Sequence, residues 1–275
     1  MHGHRRKPSV TADVPDFLGV SSLPYWKTDP TNQINGTDGS WFPPLYNRDF
    51  QSERLYLFST DICRSVYAKF EAHSSVLDVP TETFSIPAEV FLNGTLNPDN
   101  AGFGTADSGV LNVAACKQGA PVFISLPHFL YAADRYANGV DGLGANALVH
   151  RTILQVEPHT GLVVSAQKRL QINVLIQPDA FIEQLQHISE VLLPAIWINE
   201  STSIDQKSAD DLNGQVLRLF SITRWLSIGL ICAGLLVLLT SIVFVKQRAS
   251  QAKSTMLIQR EINNSIASHN TYDDD

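Results

Sequence analysis

Residues Trp225 to Val245 read WLSIGLICAGLLVLLTSIVFV, 21 positions without a charge. A helix over this run, at about 1.5 Å per residue, is about 30 Å long, which matches the hydrocarbon layer of a bilayer. A core helix of that length in a soluble protein normally keeps a polar face. Arg224 and Lys246 bracket the run, and Trp225 stands at one end as an interfacial aromatic anchor. The sequence therefore predicts one membrane-spanning helix over 225–245. Lys246, Arg248, Lys253 and Arg260 follow it before any acid. Upstream, Arg218 and Arg224 are accompanied by Asp205, Asp210 and Asp211. The basic excess predicts a cytosolic tail over 246–275 and a luminal or extracellular domain before the span.

Charge narrows the function of that domain. Of the 20 bases and 27 acids, four of each follow Arg224, so the net charge of −7 lies entirely in residues 1–224. An acidic domain without a basic stripe is unsuited to nucleic acid. A 17% charged and 44% hydrophobic chain is also too apolar for disorder.

Two further features agree with the topology. Sequons for N-glycosylation stand at Asn35, Asn93 and Asn199, all before the span. A fourth, at Asn263, lies after it and is expected to stay unmodified. Of the three cysteines, Cys232 is inside the apolar run. Cys63 and Cys116 remain, either as a bridge or as two separate buried thiols. A bridge there would close a loop of roughly 50 residues, worth about 4 kcal/mol on a chain-entropy argument. No CxxC or Cys/His spacing is present, so no metal site is expected. Residues 1–22, opening on MHGHRRKPSV, contain no apolar stretch of the kind a secretory signal needs. They are predicted to be a disordered or unrelated leader, and the chain reads as a fragment of a longer protein.

Residues 24–50 are turn-rich, with Tyr25, Trp26, Trp41, Phe42 and Tyr46 between the turns, and read as a packed loop. Residues 53–70 read as a strand or short helix, and 89–109 as loop. Arg151 to Glu157 is a strand candidate, and Pro158-His159-Thr160-Gly161 a turn. Leu162 to Gln177 then alternates, with Leu162, Val164, Ala166, Lys168, Leu170, Ile172, Val174 and Ile176 on one face and mostly polar residues on the other. Such a strand would reach about 50 Å, a length suited to a large twisted sheet or barrel. Lys168 interrupts the apolar face, as a cation meeting a ligand carboxylate, a snorkelling side chain or a local bulge. Residues 179–198 suggest a short helix and then a strand. The S-x-x-D spacing from Ser208 to Asp211 suggests a capping box that opens a helix towards the membrane.

Catalytic signatures are missing: there is no GxSxG, HExxH, GxGxxG or P-loop. Ser125, His128 and Asp134 contain the residue types of a triad, but so close in sequence, and without a nucleophile elbow, they do not suggest one. Neither enzymatic activity nor a cofactor is expected.

INGTDGSWFPP (34–44), FSTDICRSVYAKFE (58–71), NPDNAGFGT (97–105), GVLNVAACKQGAPVFISLPHFLYAAD (109–134), VDGLGANALVHRTILQVEPHTG (140–161) and KRLQINVLIQP (168–178) together resemble the class B scavenger receptor family. The resemblance runs from about Leu23 to Val245 and covers the C-terminal half of the family pattern. It implies an α+β fold, mainly an antiparallel β-barrel-like ectodomain over 23–224 with peripheral helices, followed by the single C-terminal span. It implies a Cys63–Cys116 bridge. It implies a glycoprotein of the plasma membrane that binds and transports lipids, fatty acids or lipoproteins through an apolar tunnel. Leu170, Ile172, Val174 and Ile176, with Lys168, are the tunnel candidates. A family member that carries a luminal enzyme in lysosomes supplies an alternative, a lysosomal sorting receptor; a truncated non-functional isoform is another. Protein ligands are expected to bind through the N-terminal half of the pattern, which this chain lacks. Gly102, Gly104 and the region of Thr31 stand where other members of the family carry further cysteines. Leu257-Ile258 in the tail resembles a dileucine signal, but Lys253 stands where an acid is expected.

Overall fold

The computed structural model describes residues 21–46 and 48–270, with backbone alone for 263–270. The predicted leader, residues 1–22, lies almost wholly outside the described residues. Two compact units meet between Asn213 and Gly214.

The first unit opens with the turn-rich segment, which contains one short helix, α1 (Asp29–Asn32). Leu23, Trp26, Phe42 and Leu45 are buried, so the aromatics here are core, while Trp41 and Tyr46 are exposed. The 53–70 region resolves into two strands, β1 (Leu55–Ser59) and β2 (Arg64–Val76), paired antiparallel from Leu55↔Ala68 to Ser59↔Arg64. Leu77 and Asp78 both take left-handed φ, 47° and 62°, and return the chain into β3 (Val79–Ser85). Two left-handed central residues make the turn whose twist matches that of the strands. A bulge between Phe70 and Ala72 leaves Glu71 outside the ladder, where its Oε1 accepts from Arg151 Nη1 at 2.6 Å.

Beyond two 3₁₀ turns lie β4 (Val110–Asn112) and β5 (Val122–Ser125), the short helices α2 (Asp134–Asn138) and α3 (Ala147–His150), then β6 (Ile153–Val156), β7 (Val163–Ile176) and β8 (Val191–Ser203). The antiparallel sheet runs β1-β2-β3-β6-β7-β5-β4, with β8 along the other edge of β7. The α+β class with an antiparallel sheet is as read from the sequence. The sheet is open rather than closed into a barrel, because among the described residues β1, β4 and β8 each pair with one strand only.

Alternation places the core. Val66 and Ala68 of β2, Phe84 of β3, and Leu154 and Val156 of β6 are buried. One cluster joins Phe42, Leu45, Leu55, Ala68, Phe84 and Leu154. Another joins Trp26, Ile62, Val66, Val90, Leu111 and Ile124 around Cys63. The β6–β7 turn is held by a carboxylate. Glu157 is fully buried, and its side-chain oxygens accept from the backbone N–H of His159 at 2.9 Å, from the N–H of Thr160 at 2.7 Å and from the Thr160 hydroxyl at 2.6 Å. Gly161, at φ 79°, lies so close to the Phe42 carbonyl that a Cβ would fall 1.8 Å from its oxygen, so this turn requires glycine. Glu157→Ala leaves two backbone donors without their acceptor. We expect a loss of about 2–3 kcal/mol, read as a lower melting temperature; an unchanged melt would mean water replaces the carboxylate at no cost.

Ser208 is not the cap that its spacing predicts. The helix α4 (Gln206–Asp211) starts earlier, and its cap is Asp205, whose carboxylate accepts from the Ser208 N–H at 2.9 Å and the Ser208 hydroxyl at 3.0 Å. Asp and Ser both cap helices, so the D-x-x-S spacing competed with S-x-x-D, and the earlier one prevails. Hydrogen bonding to Ser208 holds the Asp205 carboxyl below its ordinary pKa.

A π-helical stretch, Leu212–Leu217, leads into the second unit, α5 (Arg218–Asn270). Every residue of Trp225–Val245 is exposed, none packed inside the protein. So long an exposed apolar surface is incompatible with water and suits a membrane-crossing helix.

Candidate functional site

The strand β7 is the axis of the site. On one edge it pairs with β8 along most of its length, from Ser165↔Ser203 to Ile176↔Val191. On the other edge it pairs first with β6, from Val156↔Val163 to Ile153↔Gln167, and then with β5, from Ser125↔Gln171 to Val122↔Val174. Lys168, Arg169 and Leu170 fall between, in the fork where the sheet divides. Arg169 N–H donates there to Thr152 Oγ1 at 3.2 Å instead of to a strand carbonyl. A cleft of about 920 Å³ lies against this region, walled by apolar side chains that include Phe58, Ile86, Phe91, Leu126, Leu154 and Leu170. That volume is within the range of small-molecule sites.

Lys168 stands at the cleft with both its charge partners. Its ammonium contacts the Asp61 carboxylate, brought over by the β1–β2 turn, and lies 2.8 Å from Glu200 Oε2. Glu200 sits directly opposite Lys168 across the β7–β8 ladder, the favourable position for an opposite-charge pair. Burial works against the ammonium, but the hydrogen bonds to Asp61 and Glu200 outweigh it and hold its pKa above the ordinary lysine value. Asp38 also lines the cleft. The cation singled out in the sequence thus comes already neutralised.

The other candidates separate. Leu170 lines the cleft. Ile172 packs with the core around Val66 and Ile124 and sits opposite Ile124 in the ladder. Val174 pairs with Val122 and Ile176 with Val191, both half-buried. The alternation drew one apolar face, yet the polar side of β7 is the more deeply covered. Gln171 is 3% exposed and Asn173 fully buried. Their amides bond each other at 2.8 Å, and Asn173 Nδ2 donates to Ser125 Oγ at 3.0 Å. Gln171 Oε1 accepts the His128 N–H at 2.8 Å. A satisfied network of this kind can occupy a covered face in place of hydrocarbon.

The same contacts account for Ser125 and His128. Ser125 Oγ donates to the Leu126 carbonyl at 2.9 Å. The His128 ring stacks on His150, with centroids 4.4 Å apart and planes 2° from parallel, and its Nδ1 accepts the Gly144 N–H at 3.0 Å. Trp197 of β8 covers both rings edge-on. His150 is buried, and its Nδ1 accepts from Asn146 N at 3.1 Å. Burial, helped by His128 and Arg169, holds its pKa below the ordinary histidine value. A histidine depressed in this way binds protons more readily when unfolded. Its stabilising contribution is full above about pH 6.5 and is lost as the pH falls from there through the folded-state pKa. The melting temperature is expected to drop between about pH 7.5 and pH 5, and His150→Gln to flatten that drop. An equally steep variant would assign the dependence to other groups.

Cys63 and Cys116 are joined, with Cα atoms 6.5 Å apart, while Cys232 is free and exposed on α5. Of the sequon residues, Asn199 is exposed on β8 at the cleft. Asn93 is half-buried and its amide donates to the Ala106 carbonyl at 3.1 Å. Asn35 is half-buried, with its N–H on Ser65 Oγ at 2.8 Å. The side chain of Asn263 lies outside the described residues. Gly102 is packed against Thr28 and Thr31, whose hydroxyls would fall 2.3 Å from a Cβ there. Two positions singled out for missing cysteines are therefore neighbours in space.

The family model of the CD36 family matches residues 3–245, taking in most of the leader that the motif resemblance left out. Human lysosome membrane protein 2 is 39% identical over 215 residues, 76% of this chain and 44% of that protein. The rat protein of the same name is 37% identical over 207 residues, 73% of this chain and 42% of its own. Bovine scavenger receptor class B member 1 is 31% identical over 241 residues, 87% of this chain and 46% of that protein. The chain spans a little under half the length of these relatives.

Proposed function

The chain belongs to the CD36 family, and on that premise we propose that it is a membrane glycoprotein whose ectodomain binds apolar lipid in the β7 cleft and passes it towards the bilayer. The observation that supports this reading is a cleft of about 920 Å³ with mainly hydrocarbon walls, in a chain that also carries a helix long and apolar enough to cross a membrane. Each hydrocarbon segment that leaves water for such a wall contributes at about 25 cal/mol per Å², so no catalytic group is needed. In this reading residues 23–224 are extracellular or luminal, the tail after Val245 is cytosolic, and Asn35, Asn93 and Asn199 carry glycans while Asn263 does not. Leu170 borders the ligand, Ile172 supports it from the core, and Val174 and Ile176 lie farther along β7.

The test is native mass spectrometry of the full chain purified in mild detergent, before and after glycosidase. Retained lipid, released on unfolding, and mass lost from Asn35, Asn93 and Asn199 are expected. A lipid-free protein, or a glycan at Asn263, would refute the reading or its orientation respectively.

A second reading rests on the higher identity to lysosome membrane protein 2 than to the scavenger receptor. It makes this a lysosomal membrane protein, by the alternative a sorting receptor for a luminal enzyme. Colocalisation of the full-length protein with lysosomal rather than plasma-membrane markers would favour it.

A further inference from the structure

Lys168 is the cation the alternating strand draws attention to, but it is taken by Asp61 and Glu200. Arg64 is in the opposite situation. It opens β2 beside the bridged Cys63 and lines a recess of about 40 Å³, on whose walls Asn100, Phe103, Thr105 and Ser125 also stand. Its guanidinium lies over the Phe103 ring, 3.7 Å from the centroid. Nη2 donates to Asn100 Oδ1 at 3.0 Å, and Nε reaches the Ser65 carbonyl at 3.4 Å. Asn100 is itself fixed, its amide donating to the Leu92 carbonyl at 2.6 Å and the Val90 carbonyl at 3.2 Å. Among the described residues no Asp or Glu pairs with Arg64. Burial pulls its pKa down to about 9, opposed by Tyr67, so it is charged at neutral pH.

A half-buried guanidinium held by a ring face, the Asn100 amide oxygen and the Ser65 carbonyl has spent its positional freedom without meeting an anion. That is the arrangement of a prepared anion site: planar, oriented and short of negative charge. Ile62, Val66, Phe91 and Leu170 line both the recess and the 920 Å³ cleft, so the two lie on either side of a shared apolar wall, within reach of a polar head and a hydrocarbon tail of one molecule. The recess admits a group of about the size of one or two waters, which suits a carboxylate.

We propose that Arg64 anchors the carboxylate of a long-chain acyl anion whose tail lies along the cleft beside Leu170. The proposal rests on the lipid-binding reading above and deepens it, placing the charge-selective element at Arg64, since Lys168 is paired with Asp61 and Glu200.

The test uses the full chain in lipid nanodiscs, with empty nanodiscs as reference, and compares a sixteen-carbon fatty acid with its methyl ester at pH 7.4. Wild-type protein should bind the acid at least about tenfold more tightly than the ester, or about 1.4 kcal/mol. Arg64→Gln should collapse that ratio to near one, and Arg64→Lys, which keeps the charge but not the planar fork, should reduce it several-fold. Those ratios are blind to a merely structural arginine. If Arg64→Gln fails to fold, the wild-type ratio and the Arg64→Lys ratio decide. Equal affinity of wild type for acid and ester overturns the anchor while sparing the cleft. An acid preference that survives both substitutions also overturns it. Binding of neither ligand overturns the cleft reading and this one together.

Discussion

A Cys63→Ser, Cys116→Ser chain is expected to lose about 4 kcal/mol of stability. The bridge spans 53 residues of sequence, and freeing a loop of that length restores about that much entropy to the unfolded chain. For a domain of this size the melting temperature should fall by roughly 8–16 °C. The loop it closes carries β2, β3 and both 3₁₀ turns of the 88–103 region. Cys63 is buried beside Trp26, whose Nε1–H donates to the Cys63 carbonyl at 2.7 Å, so loosening the bridge also loosens that cluster. Reductant should reproduce the shift in the wild type and leave the double variant unchanged, because Cys232 has no partner to lose. A wild-type melt indifferent to reductant would mean the bridge constrains nothing.

The second large effect concerns the cleft. Leu170→Asp puts a carboxylate into the wall that the main cleft and the Arg64 recess share, and burying it against hydrocarbon costs several kcal/mol. Lipid affinity is expected to fall at least about 100-fold. Leu170→Trp tests the same place by volume, since it fills the space with an uncharged side chain and should also exclude ligand. Folding is followed in both variants by the pH-dependent melt set by His150, whose ring packs on His128 and Trp197. Normal lipid binding by a folded Leu170→Asp chain would remove the cleft from the path.

Local chemistry announced much of this structure. A 21-residue uncharged run can only be accommodated in lipid or in a large core. Gly161 marks a turn because a Cβ would strike the Phe42 carbonyl, and the alternation of β7 is a period that only a strand produces. What the alternation does not contain is which face is covered. Gln171 and Asn173 are buried because Ser125 and the His128 N–H satisfy them, and those partners lie more than 40 residues away in sequence. Lys168 looked like a candidate ligand anchor because Asp61, 107 residues upstream, was not visible as its partner. Arg64 does not stand out in the sequence, for the converse reason. It sits in a short stretch dominated by Cys63, and its distinction is the absence of a carboxylate nearby, a property of space. The fork of the sheet is likewise a matter of register, since β5 and β6 are each four residues long and either could have paired anywhere along β7.

The most direct measurement is to photolyse a membrane-incorporated acyl lipid carrying a diazirine in its chain, bound to the full-length protein, and to map the adducts by peptide sequencing. Adducts are expected on the peptides that contain Phe91, Leu126, Leu154 and Leu170, and should disappear in Leu170→Trp. Adducts confined to Trp225–Val245, with the ectodomain peptides unlabelled, would mean that lipid touches only the membrane helix and that the β7 cleft carries none.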